Sequence, residues 1–320
     1  MDIEKQKEEL LSYQGISPCP EDFDLFWQNM IKKTKALDAN VKLEKAKYSY
    51  KNAEAFHLYF DGLDGSRIHA RYLRPKNAEN APVIFLFHGY GGASPDWVSL
   101  LPYVCEGFCV AALDCRGQAG RSEDKGRYAG NTYHGQLIRG ALENNPENLL
   151  FAKIFTDTVQ LVGIVEEMPE IDKNAMYTKG VSQGGGLALA CASLCPQIKK
   201  TAICFPFLSD YKKAWQICAP GTAYDEIKSY FIFFDPRHEK EDELFKLLGY
   251  IDVQNHVKNI NAEVLMFTGM ADNICPIWLQ FATYNKVKTN KKVYFYPDLG
   301  HDYLPESEEI TLRWFEGGEM

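Results

Sequence analysis

The sequence predicts an α/β fold with a mostly parallel central sheet and helices on both of its faces. From about residue 81 onward, short apolar segments alternate with longer segments of helical periodicity, as in repeated strand–helix units. The first apolar segment, APVIFLFHG, is continuous and ends in glycine. A strand that is buried on both faces has this composition, which is typical of parallel sheets.

Length and composition narrow the class of protein. The chain has 320 residues, 46% of them hydrophobic, which suffices for a large core, and we expect one domain over 1–320. A net charge of -8 without a basic stripe argues against a nucleic-acid partner. The sequence has no run of about 18 apolar residues, so it predicts no membrane span. The charged segment MDIEKQKEELLSYQG lacks the apolar core of a signal peptide. We therefore expect a cytoplasmic protein.

The nine cysteines include no C-x-x-C pair, so a zinc site or a dithiol redox centre is not expected. Those that lie in apolar segments are Cys105, Cys109, Cys191, Cys195 and Cys204. We expect them to be buried free thiols, because an unpaired cysteine behaves as a small hydrophobic residue. Free thiols also fit a reducing compartment.

The segments before the parallel region are of two kinds. Residues 1–40 predict a helical extension, because PEDFDLFWQNMIKKTKAL begins with proline and acidic residues and has apolar residues at helical spacing. The segment HLYFDGLDGSRIHARYLRP alternates around a glycine-containing turn. This pattern predicts antiparallel strands.

The parallel region continues with further strands and helices. After APVIFLFHG, strands are predicted at FCVAALDCRG, AMYTKG, KTAICFPF, NAEVLMFTG and KKVYFYPD. Helices are predicted at NLLFAKIFTDTVQLVGIVEEM, GGLALACASL and PIWLQFATYNKV. Residues 207–258 interrupt the alternation, and we interpret them as a helical insertion before the strand NAEVLMFTG.

A serine stands in the glycine-rich turn between the strand AMYTKG and the helix GGLALACASL. The turn reads Gly180-Val181-Ser182-Gln183-Gly184, and the two outer glycines allow the chain to reverse sharply. Such a turn exposes the hydroxyl at the carboxyl end of the strand, where α/β sheets bind ligands. We interpret it as the nucleophile elbow of an α/β-hydrolase fold. The alternative is a structural turn with an N-capping serine.

A nucleophilic serine needs a histidine as its base and a carboxylate that orients the base. In α/β-hydrolases the chain order is serine, acid, histidine. His301 follows the last predicted strand and is the candidate base. His238 and His256 lie in the polar insertion, and we expect them to face solvent or to cap helices.

The candidate acid is Asp272, in the loop that follows the strand NAEVLMFTG. Two other aspartates compete with it. Asp252 lies outside the sheet pattern, and Asp298 is too close in sequence to His301 to match the usual order. We therefore prefer Asp272.

Two backbone N–H groups are needed to stabilise the oxyanion of an acyl-transfer intermediate. One belongs to the residue after the nucleophile, Gln183, and the other to the loop after an earlier strand. That loop lies in FLFHGYGG, and Tyr90 is the candidate donor. His88 in this loop also suggests a metal or phosphate site, but no second ligand cluster or P-loop pattern accompanies it. We expect no metal and no other cofactor.

These motifs resemble those of the carbohydrate esterase family of acetyl xylan esterases and cephalosporin C deacetylases. The hallmarks of that family are an Arg-Gly-Gln motif, a Gly-x-Ser-Gln-Gly elbow and a His-Glu pair. This chain has Arg116-Gly117-Gln118, the elbow at 180–184 and His301-Asp302. The similarity covers nearly the whole chain and includes the segments DFDLFW, FPFLSDYKKAW, YFIFFDPRHE and LGYIDVQN.

The resemblance implies a serine esterase without a cofactor that removes acetyl groups from small acetylated sugars and from cephalosporin C. It also implies a homohexamer whose active sites face an internal cavity. The residues that it assigns are Ser182, Asp272 and His301 as the catalytic triad, Tyr90 and Gln183 as oxyanion donors, and Arg116, Gln118, Gly180 and Gly184 as structural support of the site.

The sequence departs from the family pattern at two places near the site. Asp302 replaces the glutamate of the His-Glu pair, so we expect any tie made by that carboxylate to be shorter or absent. Ile277, Trp278 and Leu279 are bulkier than the usual residues, and we expect them to narrow the pocket.

Two other functions stay open at this point. A carboxylesterase or thioesterase for non-sugar acyl groups would use the same triad, and a preference for butyryl or longer esters would favour it. A non-catalytic binding protein with this fold is disfavoured, because all three candidate triad residues are present.

Overall fold

The structure is a computed structural model that describes residues 3–130, 135–218 and 220–320. Within these residues, a single sheet of nine strands forms the centre of the protein. The strands are β1 (Lys42–Lys45), β2 (Ala53–Asp61), β3 (Arg67–Pro75), β4 (Ala81–Phe87), β5 (Cys109–Asp114), β6 (Ile171–Val181), β7 (Lys200–Cys204), β8 (Glu263–Gly269) and β9 (Lys291–Tyr296). Their order across the sheet is β1-β2-β3-β5-β4-β6-β7-β8-β9.

Strands β4 to β9 run parallel to one another, and β1, β2 and β3 add antiparallel strands at one edge. The predicted mostly parallel sheet is confirmed. The antiparallel pair predicted from HLYFDGLDGSRIHARYLRP corresponds to β2 and β3.

The helices pack on both faces of this sheet. They are α1 (Ile3–Ser12), α2 (Phe23–Ala36), α3 (Trp97–Cys105), α4 (Leu150–Glu166), α5 (Gln183–Leu194), α6 (Tyr211–Ile217), α7 (Asp225–Phe233), α8 (Glu241–Leu248), α9 (Val253–His256), α10 (Ile277–Tyr284) and α11 (Ser307–Phe315). Helices α1 and α2 lie in the region predicted as an N-terminal extension, and α6 to α9 lie in the predicted insertion between β7 and β8. Across the described ranges, no helix combines the length and apolar character needed to traverse a bilayer.

Strand β4 shows why the continuous apolar run predicted a doubly covered sheet. Successive side chains of a strand point to opposite faces. Val83, Phe85 and Phe87 belong to one buried apolar layer, and Ile84 and Leu86 belong to the layer on the opposite face. Both faces of β4 are therefore removed from water, which a strand of alternating polarity would not tolerate.

One expectation about the cysteines was wrong. Cys105 is exposed, because it ends α3 on a side of the helix that faces away from the buried residues Trp97, Leu100 and Val104. The other four thiols expected to be buried are buried, and all nine cysteines are free. Local apolar composition did not reveal which side of a short helix meets solvent.

The expectation for His256 was also wrong. Its ring is fully buried and packs edge-on against Phe23, Trp27 and Phe155, with centroid distances of 4.8, 4.9 and 5.2 Å. Its Nε2–H donates to the Tyr250 carbonyl at 3.1 Å. Burial lowers the pKa of His256 to about 3, so the ring is neutral. The cover comes from α2 and α4, which are distant in sequence.

Candidate active site

Four loops meet at the edge of the sheet where β4, β6, β8 and β9 end. These strands are parallel, so their carboxyl ends share one edge, and open α/β sheets bind ligands there. The loop after β4 carries Tyr90, and the turn after β6 carries Ser182. The loops after β8 and β9 carry Asp272 and His301. The fold therefore gathers at one edge the residues that the sequence singled out.

Ser182 occupies a strained turn between β6 and α5. Its φ of 58° and ψ of -120° are unusual for a residue other than glycine. Its amide donates to the Cys204 carbonyl at 3.0 Å, and its carbonyl accepts from the amides of Gly185 and Gly186 at 2.9 and 3.2 Å. These bonds hold the backbone of the turn and therefore fix the position of the Ser182 Cα, from which the side chain extends.

The flanking glycines are required by close approaches of the backbone. A Cβ atom on Gly180 would collide with the backbone of Gly184, and one on Gly184 would collide with the carbonyl of Phe87 at the end of β4. Glycine at both positions therefore lets the start of α5 pack directly against β6 and β4. The sharp turn predicted from the sequence rests on these two contacts.

Asp272 and His301 form a hydrogen-bonded pair. The Nδ1–H of His301 donates to Oδ2 of Asp272 at 2.9 Å, and Oδ1 of Asp272 accepts from the amides of Ile274 and Cys275 at 2.9 and 2.8 Å. The Asp272 side chain is fully buried, whereas that of His301 is 21% exposed. Because Nδ1 holds the proton, Nε2 keeps a free lone pair and can accept a proton.

The competing candidates lie elsewhere. Asp252 caps α9, accepts from the Asp210 amide at 3.0 Å, and has its pKa raised to about 7 by burial. Asp298 is exposed, and His238 is half-exposed and stacks on Phe231. None of these side chains takes the place of Asp272 beside the histidine that follows β9.

Ser182 and His301 line one open cleft with a volume of about 620 Å³. In the described structure the two side chains make no direct hydrogen bond, and such bonds often tighten only when substrate is bound. The Ser182 Oγ lies 3.8 Å from Sγ of Cys275. Burial raises the pKa of the Cys275 thiol well above its usual value, so this thiol is a neutral neighbour rather than a competing nucleophile.

The backbone N–H groups of Tyr90 and Gln183 have no acceptor among the described residues. Gln183 is the first residue of α5, where N–H groups lack a partner within the helix. Tyr90 lines the cleft together with Ser182. Stabilising an oxyanion requires uncommitted donors of this kind beside the reacting hydroxyl.

The side chains of Gln118 and Gln183 form a reciprocal amide pair. Gln118 Nε2 donates to Gln183 Oε1 at 2.7 Å, and Gln183 Nε2 donates to Gln118 Oε1 at 3.0 Å. The same Gln118 oxygen accepts from the Gly91 amide at 2.9 Å. Because Gly91 directly follows Tyr90, Gln118 connects the loop after β4 to the elbow.

The side chain of Tyr90 is held by the insertion. Its hydroxyl donates to Glu226 of α7, and its ring packs edge-on against Phe207 with a centroid distance of 5.6 Å. Glu226 also accepts from the Leu137 amide at 2.6 Å. Burial raises the pKa of Tyr90, so the phenol stays protonated and donates. The insertion thus holds the side chain of Tyr90, while its backbone N–H group stays without an acceptor among the described residues.

Arg116 supports the site from a greater distance. It is fully buried, donates to both oxygens of Asp157 at 2.7 Å and donates to Asp64 at 2.7 Å. Burial opposes the charge, but the two carboxylates raise the pKa of Arg116. The guanidinium therefore joins α4 to the turn between β2 and β3, and it lies two residues before Gln118, which contacts the cleft loop.

His88 has a structural role in the loop after β4. Its Nδ1–H donates to the Gly89 carbonyl at 2.8 Å, and its Nε2 accepts from the Cys115 amide at 3.0 Å. Burial lowers the pKa of His88, and both ring nitrogens are occupied. Over the described part of the chain, no group of three or more histidine, cysteine or acidic side chains is arranged to hold a metal ion.

The sequence missed several residues of the cleft and misplaced others. Side chains that line it without having been predicted include Val181, Phe205, Ile274, Tyr303 and Glu308. The expectation that Ile277, Trp278 and Leu279 narrow the pocket was wrong. Ile277 and Leu279 are buried, and the Trp278 ring lies edge-on to Tyr13 at 5.3 Å. Helix α10 turns Ile277 and Leu279 into the core and leaves Trp278 partly buried against Tyr13.

Asp302, which replaces the family glutamate, makes a short local contact. Its Oδ2 accepts from the Gly300 amide at 3.1 Å, and the residue is exposed. The carboxylate therefore folds back onto the loop that carries His301.

The fold and the site define an esterase of the α/β-hydrolase class, with a serine in a strained strand–helix turn and a histidine–aspartate pair in the loops after the last two strands. The acetyl xylan esterase (AXE1) family matches residues 2–317. The chain belongs to this family, and it is a carboxylic ester hydrolase. The resemblance inferred from the sequence motifs is confirmed.

Similar proteins agree with this assignment. Acetyl xylan esterase 1 from Thermoanaerobacterium sp. JW/SL YS485 is 44% identical, with a TM-score of 0.94 over 96% of this chain and 97% of that chain. Acetyl xylan esterase from Paenibacillus sp. R4 is 32% identical, with a TM-score of 0.92 over 97% and 98%. Acetyl esterase Axe7A from Xylanibacter ruminicola is 24% identical over 93% of this chain and 67% of its own length.

Proposed function

We propose that this chain hydrolyses acetyl esters of small acetylated sugars such as xylo-oligosaccharides, and of cephalosporin C-like compounds, with Ser182 as the nucleophile. The observation that carries the proposal is the 2.9 Å hydrogen bond between His301 and Asp272, next to a cleft that Ser182 also lines. Membership of the acetyl xylan esterase family supports an acetylated sugar as the substrate.

The first half of the reaction transfers the acetyl group to the enzyme. Nε2 of His301 accepts the proton of the Ser182 hydroxyl as its oxygen attacks the acetyl carbonyl carbon. The amides of Tyr90 and Gln183 stabilise the resulting oxyanion. When the intermediate collapses, the ester C–O bond breaks, and the sugar oxygen leaves with the proton from His301. Asp272 stabilises the imidazolium in between.

The second half restores the enzyme. Water replaces the sugar, and His301 accepts one of its protons as the water oxygen attacks the acetyl carbonyl. The bond between the acetyl carbon and the Ser182 oxygen breaks, and His301 returns the proton to that oxygen. Acetate is released, and the cycle balances with water as the only co-reactant.

We further propose a homohexamer, as the family resemblance implies. An exposed apolar cluster on and beside the end of α7 supports burial against another copy, because Ile232, Phe233 and Phe234 are 55%, 71% and 39% exposed. Enclosed active sites would admit oligosaccharides and react poorly with polymeric xylan. A monomeric mass by light scattering would contradict this assembly.

We also propose that the enzyme acts in the cytoplasm. Its nine free thiols fit the reducing conditions of that compartment. Fractionation of the producing cells, with the activity followed by an antibody to this chain, tests the location. Recovery of the protein in the medium would contradict it.

Acetate release tests the central proposal. Acetylated xylo-oligosaccharides, cephalosporin C, 4-nitrophenyl acetate and 4-nitrophenyl butyrate are incubated with wild type, Ser182→Ala and the control Ser99→Ala. Acetate is measured for the first two substrates and 4-nitrophenol for the two aryl esters. Ser99 is an exposed serine of α3. We expect wild type and the control to release acetate from the sugar esters, and Ser182→Ala to be inactive on every substrate.

Each other outcome points to a specific error. Equal activity of wild type and Ser182→Ala would show that Ser182 is not the nucleophile. Cleavage of 4-nitrophenyl acetate without the sugar acetates would leave the nucleophile intact and refute the substrate. Preference for the butyrate ester would instead favour a general carboxylesterase or thioesterase.

A further inference from the structure

We infer that Tyr303 is an aromatic platform for the sugar ring of the leaving alcohol, and that Glu308 accepts hydrogen bonds from its hydroxyl groups. This inference rests on the proposed function, because it names the part of the same cleft that contacts the alcohol. Neither residue belongs to the proposed triad or to the oxyanion donors.

Three large apolar side chains of the cleft are unusually exposed. Val181, Ile274 and Tyr303 are 37%, 43% and 71% exposed, and all three line the cleft. Each is adjacent to, or two residues from, a member of the proposed triad. They therefore lie in the same cleft as Ser182 and His301. Apolar side chains left in water around a cleft mark a ligand-binding surface.

The chemistry of a pyranose ring suits this surface. One face of the ring presents C–H groups, and its rim carries hydroxyls. The face of an aromatic ring is negative, so it attracts C–H groups that stack on it. Tyr303 is the aromatic side chain among the three exposed residues, and 71% of its surface is free to be covered.

Glu308 gives the cleft a fixed acceptor. Its Oε1 accepts from Lys179 Nζ at 2.7 Å, and its Oε2 accepts from the Tyr103 hydroxyl at 2.9 Å. The Glu308 side chain is 47% exposed and lines the cleft, whereas that of Lys179 is 8% exposed. Each carboxylate oxygen retains a second lone pair. The buried partners hold the carboxylate in place, so it can accept from sugar hydroxyls without first being ordered.

The test compares a substrate that has a sugar with one that lacks any ring. We would measure kcat/KM for an acetylated xylo-oligosaccharide and for ethyl acetate in wild type, Tyr303→Ala, Tyr303→Phe and Glu308→Gln. Tyr48→Ala is the matched control, because Tyr48 is 54% exposed and does not line the cleft. The ratio of the two kcat/KM values is independent of the fraction of folded enzyme.

We expect the ratio of sugar ester to ethyl acetate to fall about tenfold in Tyr303→Ala, through loss of the stacked area. A similar fall of about tenfold is expected in Glu308→Gln, through loss of a charged acceptor. Tyr303→Phe keeps the ring and should stay within about twofold of wild type, as should Tyr48→Ala.

An unchanged ratio in Tyr303→Ala would overturn the platform, and an unchanged ratio in Glu308→Gln would overturn the polar contact. Both results would leave the proposed function standing, since wild type would still cleave the sugar ester. A wild-type enzyme that cleaves ethyl acetate and no sugar ester would refute the sugar substrate, and the subsite with it.

Discussion

Replacing Gln118 with alanine isolates how the loop after β4 is held in place. The side chain lies outside the proposed chemistry, yet its Oε1 accepts from the Gly91 amide at 2.9 Å and from Gln183 Nε2 at 3.0 Å. Gln118→Ala removes both contacts, together with the bond that Gln118 Nε2 donates to Gln183 Oε1 at 2.7 Å, and leaves the Tyr90 amide present but less firmly positioned. We expect kcat to fall while KM changes little, because oxyanion stabilisation acts mainly in the transition state.

The magnitude follows from two limits. Losing an oxyanion donor outright costs about 2.7–4 kcal/mol of transition-state stabilisation. Losing a hydrogen bond that merely restrains such a donor costs about 0.5–1.5 kcal/mol. Gln118→Ala lies between these limits, because the loop keeps its contacts through His88 and the Tyr90 side chain. We expect kcat to fall by about 10- to 100-fold.

The assay is steady-state hydrolysis of 4-nitrophenyl acetate, with urea unfolding of each variant in parallel. Gln136→Ala is the control: Gln136 Nε2 donates to the Gly117 carbonyl at 2.9 Å, in the same Arg-Gly-Gln segment, without contacting Gly91. A folded Gln118→Ala enzyme with wild-type kcat would refute the reasoning. An equal loss of kcat in Gln136→Ala would show that the loss comes from disturbing the whole Arg-Gly-Gln segment and not from the Gln118 side chain alone.

Three further predictions concern chemistry, packing and pH. Asp272→Asn should lower kcat about 10⁴-fold with the fold intact, because the amide no longer fixes the required tautomer of His301; wild-type kcat would contradict this. Gly184→Ala should lower the free energy of unfolding by about 3 kcal/mol or more, because its Cβ meets the Phe87 carbonyl; urea unfolding measures it. Burial lowers the pKa of His256 from 6.5 to about 3. Between pH 6.5 and pH 3, the unfolded chain therefore binds a proton at His256 that the folded chain does not bind. The stability that His256 contributes should therefore be fully present above pH 6.5. Below that pH, the free energy of unfolding should fall by up to about 1.4 kcal/mol for each pH unit. His256→Gln should flatten that slope, and an unchanged slope would exclude His256 as its source.

The sequence revealed the parallel strands and the elbow because their signals are local. APVIFLFHG is continuous because both faces of β4 are buried, and the glycines around Ser182 are there because the backbone of β4 and α5 leaves no room for a Cβ. Chain order then identified the histidine and aspartate that the structure places in contact. Each of these features depends on a few residues that are close together in the sequence.

What the sequence did not reveal depends on distant contacts or on weak local patterns. Strand β1 reads KLEK, is mostly exposed and has no apolar alternation. Helix α3 contains Pro102, which usually ends a helix. His256 has polar neighbours in sequence but is covered by α2 and α4. Tyr303 has no signature at all, because its importance lies in being exposed beside a cleft.

The proposed backbone donor at Tyr90 cannot be deleted by a side-chain change, but its two anchors can. Gln118 holds the neighbouring Gly91 amide, and Glu226 holds the Tyr90 hydroxyl from the insertion. Tyr90→Phe removes the second anchor and keeps the N–H group. If both anchors position this one amide, each compensates in part when the other is lost.

A double-mutant cycle on kcat therefore distinguishes a shared target from independent effects. The Tyr90→Phe and Gln118→Ala double variant should lose more transition-state stabilisation than the two single variants together, with a coupling energy of about 0.5 kcal/mol or more. Additive losses would mean that the two anchors act independently rather than on one shared amide. Coupling would show that the helical insertion is part of the oxyanion machinery, since it would act on the same backbone group as the Arg-Gly-Gln segment.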